Sequence, residues 1–106
     1  MKKIGLIPLD SRPCNTNWLM HFSQIGQVEL LSYPFEKCGS LHVGANLDEM
    51  MRWLDHVVDA LDYLIISADG LFSGGLVQAR LGVANAAAVE QALTQIKTYK
   101  ERYPKL

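Results

Sequence analysis

Asp62-Tyr63-Leu64-Ile65-Ile66-Ser67-Ala68 is a run with an unbroken apolar centre. Such a run is typical of a parallel strand that is covered on both faces. Nearer the N-terminus, residues 3–8 (K-I-G-L-I-P) and residues 27–32 (Q-V-E-L-L-S) have the same short apolar character. Pro8 suits a strand terminus because proline has no N–H to donate to a sheet. The sequence therefore predicts three short strands.

The segments between and after these strands have helical periodicity. The first predicted helix covers residues 15–25, ends before Gly26, and has one apolar face that we expect to be buried: Trp18, Leu19, Phe22 and Ile25. The second runs from residue 47 to about residue 61, with Asn46 as its N-cap and Glu49 in the capping-box position. The third runs from residue 85 to residue 103, and Pro104 ends it.

Strands and helices alternate along the chain, and this order indicates an α/β fold with a parallel sheet and right-handed crossovers. We expect three layers, with the strands in the spatial order 2-1-3, so that the first strand is central. Residues 1–106 then form a single α/β domain. Because three strands make a small sheet with two uncovered edges, we expect the chain to be the N-terminal fragment of a larger domain with a Rossmann-like sheet or barrel.

The composition excludes several classes of protein. Of the 106 residues, 49% are hydrophobic and 20% are charged, which excludes general disorder. The ten basic residues are scattered and the net charge is −1, so the sequence predicts no nucleic-acid partner. The apolar segment at residues 4–9 is broken by Gly5 and Pro8, and no segment has the roughly 20 apolar residues of a membrane helix. We therefore expect a cytoplasmic protein with no membrane partner.

Polar residues follow two of the predicted strands, at the edge where parallel sheets bind ligands. Asp10 follows the first strand and Asp69 follows the third. As a pair, these carboxylates predict catalytic acid–base chemistry, and they could instead hold a divalent cation such as Mg²⁺. The alternative is that each aspartate caps its own turn. The three histidines have no metal-ligand spacing, so we predict no metal site of the zinc type.

Five further residues near the strand ends are candidates for substrate binding. Arg12 and Arg80 could hold an anionic group with their planar guanidinium forks, and Arg12 has the stronger case because it precedes Pro13 in a stiff turn. Asn15 is a candidate binding residue, although the favoured interpretation is that it is only the N-cap of the first helix. Gly74 and Gly75 permit a close backbone approach to a ligand but match no nucleotide-binding motif.

Two blocks of the sequence resemble a known family. Residues 3–15 (K-I-G-L-I-P-L-D-S-R-P-C-N) resemble the N-terminal signature of the bacterial family called domain of unknown function 4127, and residues 65–80 (I-I-S-A-D-G-L-F-S-G-G-L-V-Q-A-R) resemble its later G-G-L-V-x-x-R motif. Family members are several times longer, so the resemblance also implies an N-terminal fragment. It implies no established activity. The positions that match the motifs are Asp10, Arg12, Asn15, Asp69, Gly74, Gly75 and Arg80.

These observations lead to three hypotheses for function. The first is an enzyme, with hydrolysis as one reaction class, that acts on a small polar or anionic substrate such as a sugar or sugar acid. Asp10 and Asp69 would then perform acid–base chemistry while Arg12 and Arg80 bind the anion. The second is a non-catalytic ligand-binding module. The third is an assembly module whose sheet edge is completed by another chain, either in a homodimer or by a continuation chain.

Overall fold

A parallel three-stranded sheet forms the centre of the computed structural model, which describes residues 1–82 and 86–106. The strands are β1 (Lys3–Ile7), β2 (Glu29–Ser32) and β3 (Tyr63–Ile66). They lie in the order β2-β1-β3, and Ile4 of the central strand pairs with Leu30 on one side and Tyr63 on the other. The predicted α/β class and strand order are therefore confirmed.

Five helices are found in the described part of the chain, and three of them were predicted. The helices are α1 (Asn17–Ile25), α2 (Leu47–Val57), α3 (Ala68–Ser73), α4 (Leu76–Arg80) and α5 (Ala86–Arg102). Short 3-10 turns occur at Pro13–Asn15, Phe35–Lys37 and Val58–Ala60. The predicted start of the last helix, at residue 85, lies outside the described residues. Within those residues, no helix is both long enough and apolar enough to cross a membrane.

The start of α2 follows the predicted capping pattern in part. The Asn46 side chain accepts a hydrogen bond from the Glu49 N–H at 3.1 Å, which confirms the N-cap. The Glu49 carboxylate forms an ion pair with Lys37 instead of returning to the cap. The α-helix also ends earlier than predicted, at Val57, where a 3-10 turn completes the segment.

The short helices α3 and α4 were not predicted from the sequence. Ser67 begins α3 because its hydroxyl accepts a hydrogen bond from the Gly70 N–H at 3.4 Å. Gly74 ends α3 in the left-handed region, at φ +87°, which a residue with a side chain rarely adopts. With only six and five residues, these helices are too short to produce a periodic hydrophobic pattern.

The core lies mainly between the sheet and helices α2 and α5. Leu64 and Ile66 of β3 point to this face of the sheet and contact the buried residues there: Ile7, Met50, Leu54, Val58, Leu71, Ala92 and Tyr99. The buried Tyr99 hydroxyl of α5 donates a hydrogen bond to the Asp55 carboxylate of α2. The two helices are thus held together by both apolar packing and this hydrogen bond.

Three of the four residues on the predicted apolar face of α1 are exposed, so the predicted burial is wrong for these three. Trp18, Phe22 and Ile25 are 56%, 60% and 81% exposed, whereas Ser23 is buried. In the turn before the helix, Thr16 is buried and its hydroxyl donates to the Arg12 carbonyl at 3.0 Å. Helix α1 packs against β2 with Ser23 buried and Leu19 and Met20 half-buried, while Trp18, Phe22 and Ile25 face outward.

One face of the sheet is less covered than the other. The connection from β1 to β2 and the connection from β2 to β3 cross the sheet in opposite directions. Because both crossovers are right-handed, the helices that they contain, α1 and α2, lie on opposite faces of the sheet. On the α1 face, Tyr63 and Ile65 of β3 are each 55% exposed. The molecule is accordingly flat, with extents of 38 × 32 × 17 Å.

Candidate functional site

The carboxyl ends of β1 and β3 meet at one edge of the sheet. Ile7 lies opposite Ile66, and the Ser67 N–H donates to the Ile7 carbonyl at 3.0 Å. Beyond this pair, Gly70 packs so closely on the end of β1 that an added Cβ would lie 2.4 Å from the Pro8 carbonyl oxygen. The segments that carry Asp10 and Asp69 therefore leave adjacent strands and contact each other.

Asp10 is buried, and hydrogen bonds surround its carboxylate. Its Oδ1 accepts from the Asn15 Nδ2 at 2.7 Å and from the Arg12 backbone N–H at 3.2 Å. The Arg12 Nε lies 3.1 Å from Oδ1 and 3.0 Å from Oδ2. Two side chains and one backbone group thus converge on a single carboxylate, whose side chain is only 11% exposed.

These hydrogen bonds keep Asp10 ionised. Burial acts to raise the pKa of the Asp10 carboxyl, but the side-chain hydrogen bonds from Arg12 and Asn15, the Arg12 backbone N–H and the Arg12 charge together lower it below its usual range. The hydrogen bond to Asp10 and the charge of Asp10 in turn raise the pKa of the Arg12 guanidinium. At neutral pH the two side chains therefore form a fixed ion pair.

The Arg12 side chain is held at its Nε atom, and its terminal Nη groups point to a cleft. Its Nε binds Asp10, whereas neither terminal Nη group has a hydrogen-bond partner in the described ranges. The side chain is 55% exposed and lines a cleft of about 220 Å³. The other lining residues are Asp10, Ser11, Gly39, Ser40, Leu41, Leu76 and Val77. Two N–H-bearing groups are thus available to a molecule in this cleft.

Asn15 has a different structural role from helix capping. Helix α1 begins at Asn17 with Thr16 at its N-cap position, and Asn15 lies in the preceding 3-10 turn. From there its side-chain amide reaches back to the Asp10 carboxylate. Asn15 therefore contributes to the site by holding Asp10, and the capping interpretation is wrong.

The long loop before α2 forms the other wall of the cleft. The Ser11 N–H donates to the Gly39 carbonyl at 2.8 Å, and the Ala45 N–H donates to the Gly74 carbonyl at 3.0 Å. The loop lies so close to the glycine pair that a Cβ at Gly39 would be 1.8 Å from the Gly74 oxygen. Gly74 and Gly75 are both buried. The close backbone approach that they permit is therefore made to the loop in this structure, where the sequence predicted an approach to a ligand.

Gln78 is a residue of this region that the sequence analysis missed. It is 7% exposed, and its Nε2 donates to the Ser40 carbonyl at 3.1 Å, which ties α4 to the loop. Its Oε1 is buried and has no hydrogen-bond partner among the residues described. In the sequence, the position of Gln78 one helical turn after the glycine pair was the one sign that it belongs to this region. Its burial could not be predicted, because it depends on how the loop folds over α4.

Asp69 and Arg80 lie apart from this hydrogen-bonded group. Asp69 is exposed in the first turn of α3, and Arg80 is exposed at the end of α4. Neither side chain makes a hydrogen bond or an ion pair within the part of the chain that the structure describes, and neither lines the cleft beside Arg12. The structure thus brings together Asp10, Arg12 and Asn15 and leaves these two side chains free.

Two further properties limit the chemistry of the site. Burial, with the nearby charges of Asp10 and Glu36, raises the pKa of the Cys38 thiol to about 11, so that this thiol is neutral at pH 7. Among residues 1–82 and 86–106, no group of three or more His, Cys, Asp or Glu side chains is placed to hold a metal ion.

Comparison with known proteins yields one match. Residues 4–106 match the family described as "Protein of unknown function (DUF4127)". This match covers nearly the whole chain and confirms the resemblance seen in the sequence. No curated protein and no solved structure matches the chain. Because the family description names no reaction, the site geometry has to support any statement about activity.

Proposed function

The chain belongs to the DUF4127 family, and from this premise and the strand-tip geometry we propose that it is an enzyme that binds a small anionic substrate, such as a sugar acid, through Arg12. The observation that carries this proposal is the pairing of Arg12 with a buried carboxylate through Nε alone, while both Nη groups lie at a cleft without a partner among the described residues. A guanidinium fork of this kind binds a carboxylate or phosphate through two parallel hydrogen bonds.

In this proposal Asp10 is a positioning residue. Its carboxylate accepts hydrogen bonds from Arg12 and Asn15 and stays ionised at neutral pH, so it is poorly suited to donate or accept a proton. It instead fixes the direction of the guanidinium before the substrate arrives. Such preorganisation removes part of the ordering cost of binding.

Asp69 is the proposed acid–base residue. It follows the strand next to the Arg12 turn, and its exposed carboxylate has no partner among the described residues. A hydrolytic reaction needs a group that takes a proton from the attacking water and returns it to the leaving group. A free carboxylate at the same sheet edge as the anion-binding arginine fits that role, with hydrolysis as the reaction class.

Binding and turnover test the proposal separately. Isothermal titration of the wild-type chain with glucuronate, inorganic phosphate and neutral glucose should show binding of the anions and not of glucose. Arg12→Gln should abolish this binding, whereas Arg12→Lys should retain part of it, because an ammonium keeps the charge but lacks the planar fork. Equal anion affinities for the wild type and Arg12→Gln would refute the proposed site.

A non-catalytic ligand-binding module is the second candidate. It is favoured by the fact that Asp69 does not line the cleft beside Arg12. The Asp69→Asn variant distinguishes the two candidates in hydrolysis assays with sugar-acid glycosides and phosphate esters. An enzyme loses turnover and keeps anion binding in this variant, whereas a binding module shows no turnover in either form.

We also propose that the protein works in the bacterial cytoplasm. Cys14 and Cys38 are both free, and Cys14 is exposed. Exposed free thiols are typical of reducing compartments, since oxidising ones convert them to disulfides.

A further inference from the structure

Three apolar side chains line the cleft beside Arg12. Leu41 lies in the long loop before α2, and Leu76 and Val77 lie in the first turn of α4. Leu41 is 65% exposed, and the other two are half-buried. In the described part of the chain, neither Leu76 nor Val77 packs against the buried core. The apolar surface of all three is therefore open to a molecule that occupies the cleft.

Hydrogen bonds hold this apolar wall in a fixed place relative to the turn that carries the arginine. The Ser11 N–H donates to the Gly39 carbonyl at 2.8 Å, which joins that turn to the loop two residues before Leu41. The buried Gln78 side chain donates to the Ser40 carbonyl at 3.1 Å, which joins α4 to the residue before Leu41. The guanidinium and the apolar wall are thus parts of one connected structure.

The polar side chains of the cleft provide little for the hydroxyl groups of a ligand at this wall. The Ser40 hydroxyl donates to the Val43 carbonyl at 3.4 Å, and the Asp10 carboxylate is bound by Arg12. Ser11 directly precedes Arg12, at the anion-binding end of the cleft. A ligand hydroxyl placed against the leucine and valine side chains would lose water without gaining a protein partner, which is unfavourable.

We propose that the substrate of this site carries an apolar group, aromatic or branched alkyl, next to its anionic group, as an aryl phosphate ester or an aromatic carboxylate does. The inference rests on the proposed function, because Arg12 binds the anion and so determines which end of the substrate meets the apolar wall. A sugar acid belongs to this class when it carries an apolar substituent, as an aryl or alkyl glycoside does.

The size of the cleft limits the size of this apolar group. The cleft has a volume of about 220 Å³, whereas sites for drug-sized molecules have roughly 300–1,000 Å³. One ring or one short branched chain beside the anion is therefore the group that fits.

Pairs of anions that differ only in the apolar group test this preference. Isothermal titration of the full chain compares phenyl phosphate with methyl phosphate, and benzoate with acetate, at a pH where both members of a pair carry the same charge. We expect the aromatic member of the pair that binds to have at least about tenfold higher affinity, since even one methylene group in an apolar pocket is worth about tenfold or more.

A matched pair of variants locates the apolar group. Leu41→Asn removes apolar surface from the cleft and should weaken the binding of the aromatic ligand by about three- to tenfold, while the affinity for its small partner stays unchanged. Leu81→Asn makes the same change at the residue after α4, which is 72% exposed and does not line the cleft, and should affect neither ligand. Circular dichroism verifies that both variants retain the fold, as expected at exposed positions.

The Arg12→Gln variant separates a failure of this inference from a failure of the proposed function. Equal affinities within each pair, lost in Arg12→Gln, would overturn the apolar preference and leave the anion-binding site standing. Binding of none of the four anions, or binding that Arg12→Gln does not weaken, would overturn both. An aromatic preference that is the same in Leu41→Asn and Leu81→Asn would also overturn the inference, because the apolar group would then lie outside this cleft.

Discussion

Asp10 is the residue on which the strand-tip site depends. Its carboxylate is almost fully buried and accepts hydrogen bonds from Arg12 and Asn15. A buried carboxylate needs such partners because desolvation of an unpaired charge is costly. The same contacts that stabilise the carboxylate also orient the Arg12 guanidinium, so local stability and anion binding are coupled at this residue.

Replacement of Asp10 by asparagine should therefore affect stability and binding together. Asp10→Asn keeps the size of the side chain but places an amide against three N–H donors, so we expect the free energy of unfolding to fall by about 1–3 kcal/mol. Urea denaturation measures this change. Asp69→Asn is the matched control, and at its exposed position the change should stay within about 0.5 kcal/mol. A similar loss in both variants would contradict the structural role of Asp10.

Acid should remove the stabilisation that the ionised Asp10 carboxylate gives to the wild-type chain. The pKa of Asp10 is lower in the folded chain than in the unfolded one, so the unfolded state binds more protons as the pH falls towards and below about 4. The stabilisation from Asp10 is thus fully present at neutral pH and is lost as the pH falls through the folded pKa. Urea midpoints measured between pH 7 and pH 2 should fall less steeply in Asp10→Asn. Parallel curves for the two proteins would show that Asp10 is not the group responsible.

At the scale of elements, the loop of residues 38–45 and the turn between α3 and α4 form one unit. Gly39 lies against Gly74, the Ala45 N–H donates to the Gly74 carbonyl, and Gln78 donates to Ser40. These contacts hold the wall of the cleft opposite Arg12. The glycine pair thus acts on the site indirectly, by allowing the loop to pack close to the helices.

A methyl group at Gly39 should separate these elements. Its Cβ would lie 1.8 Å from the Gly74 carbonyl oxygen, a backbone atom that cannot move without shifting α3, so Gly39→Ala should cost about 3 kcal/mol or more. Gly26→Ala is the control, because Gly26 has φ −77° and its added Cβ would meet nothing closer than 3.5 Å. We expect that change to be neutral or stabilising by less than about 1 kcal/mol. Thermal and urea denaturation of both variants measure the difference, and equal effects would refute the close contact.

The whole molecule is flat and leaves several large apolar side chains exposed. Its smallest extent is 17 Å, because helices α2 and α5 cover one face of the sheet while α1 covers only part of the other. Helix α1 carries no charged residue and exposes Trp18, Phe22 and Ile25, and β3 exposes Tyr63 and Ile65. Much of the apolar surface of this small chain is therefore not used for its own core.

The isolated chain should consequently have low stability. A domain of this length buries about two-thirds of the surface of its unfolded chain, and here part of the apolar surface stays in water. We expect a free energy of unfolding of about 5 kcal/mol or less in water. Urea denaturation, with sedimentation equilibrium to establish the molecular mass of the species that unfolds, tests this value. A monomer with a stability above about 10 kcal/mol would contradict it.

The sequence alone determined the three strands, the three longer helices and the order of these elements. Apolar runs identified β1, β2 and β3, and the alternation with helices predicted a parallel sheet with β1 in the centre. Such patterns are readable because strand and helix preferences depend on neighbours within a few positions along the chain. The same reasoning located Asp10 and Asp69 at adjacent strand ends, since parallel topology places those ends together.

Only the tertiary structure decided which side chains are buried and which partners they bind. The outward orientation of Trp18 and Phe22 is a property of how α1 packs against β2, and amphipathic spacing contains no information on that packing. The binding of Arg12 and Asn15 by one carboxylate, and the packing of Gly39 on Gly74, likewise depend on contacts between segments that only folding brings together. Burial and hydrogen bonding are properties of the folded surroundings of a residue, whereas a sequence pattern reports only the residues beside it in the chain.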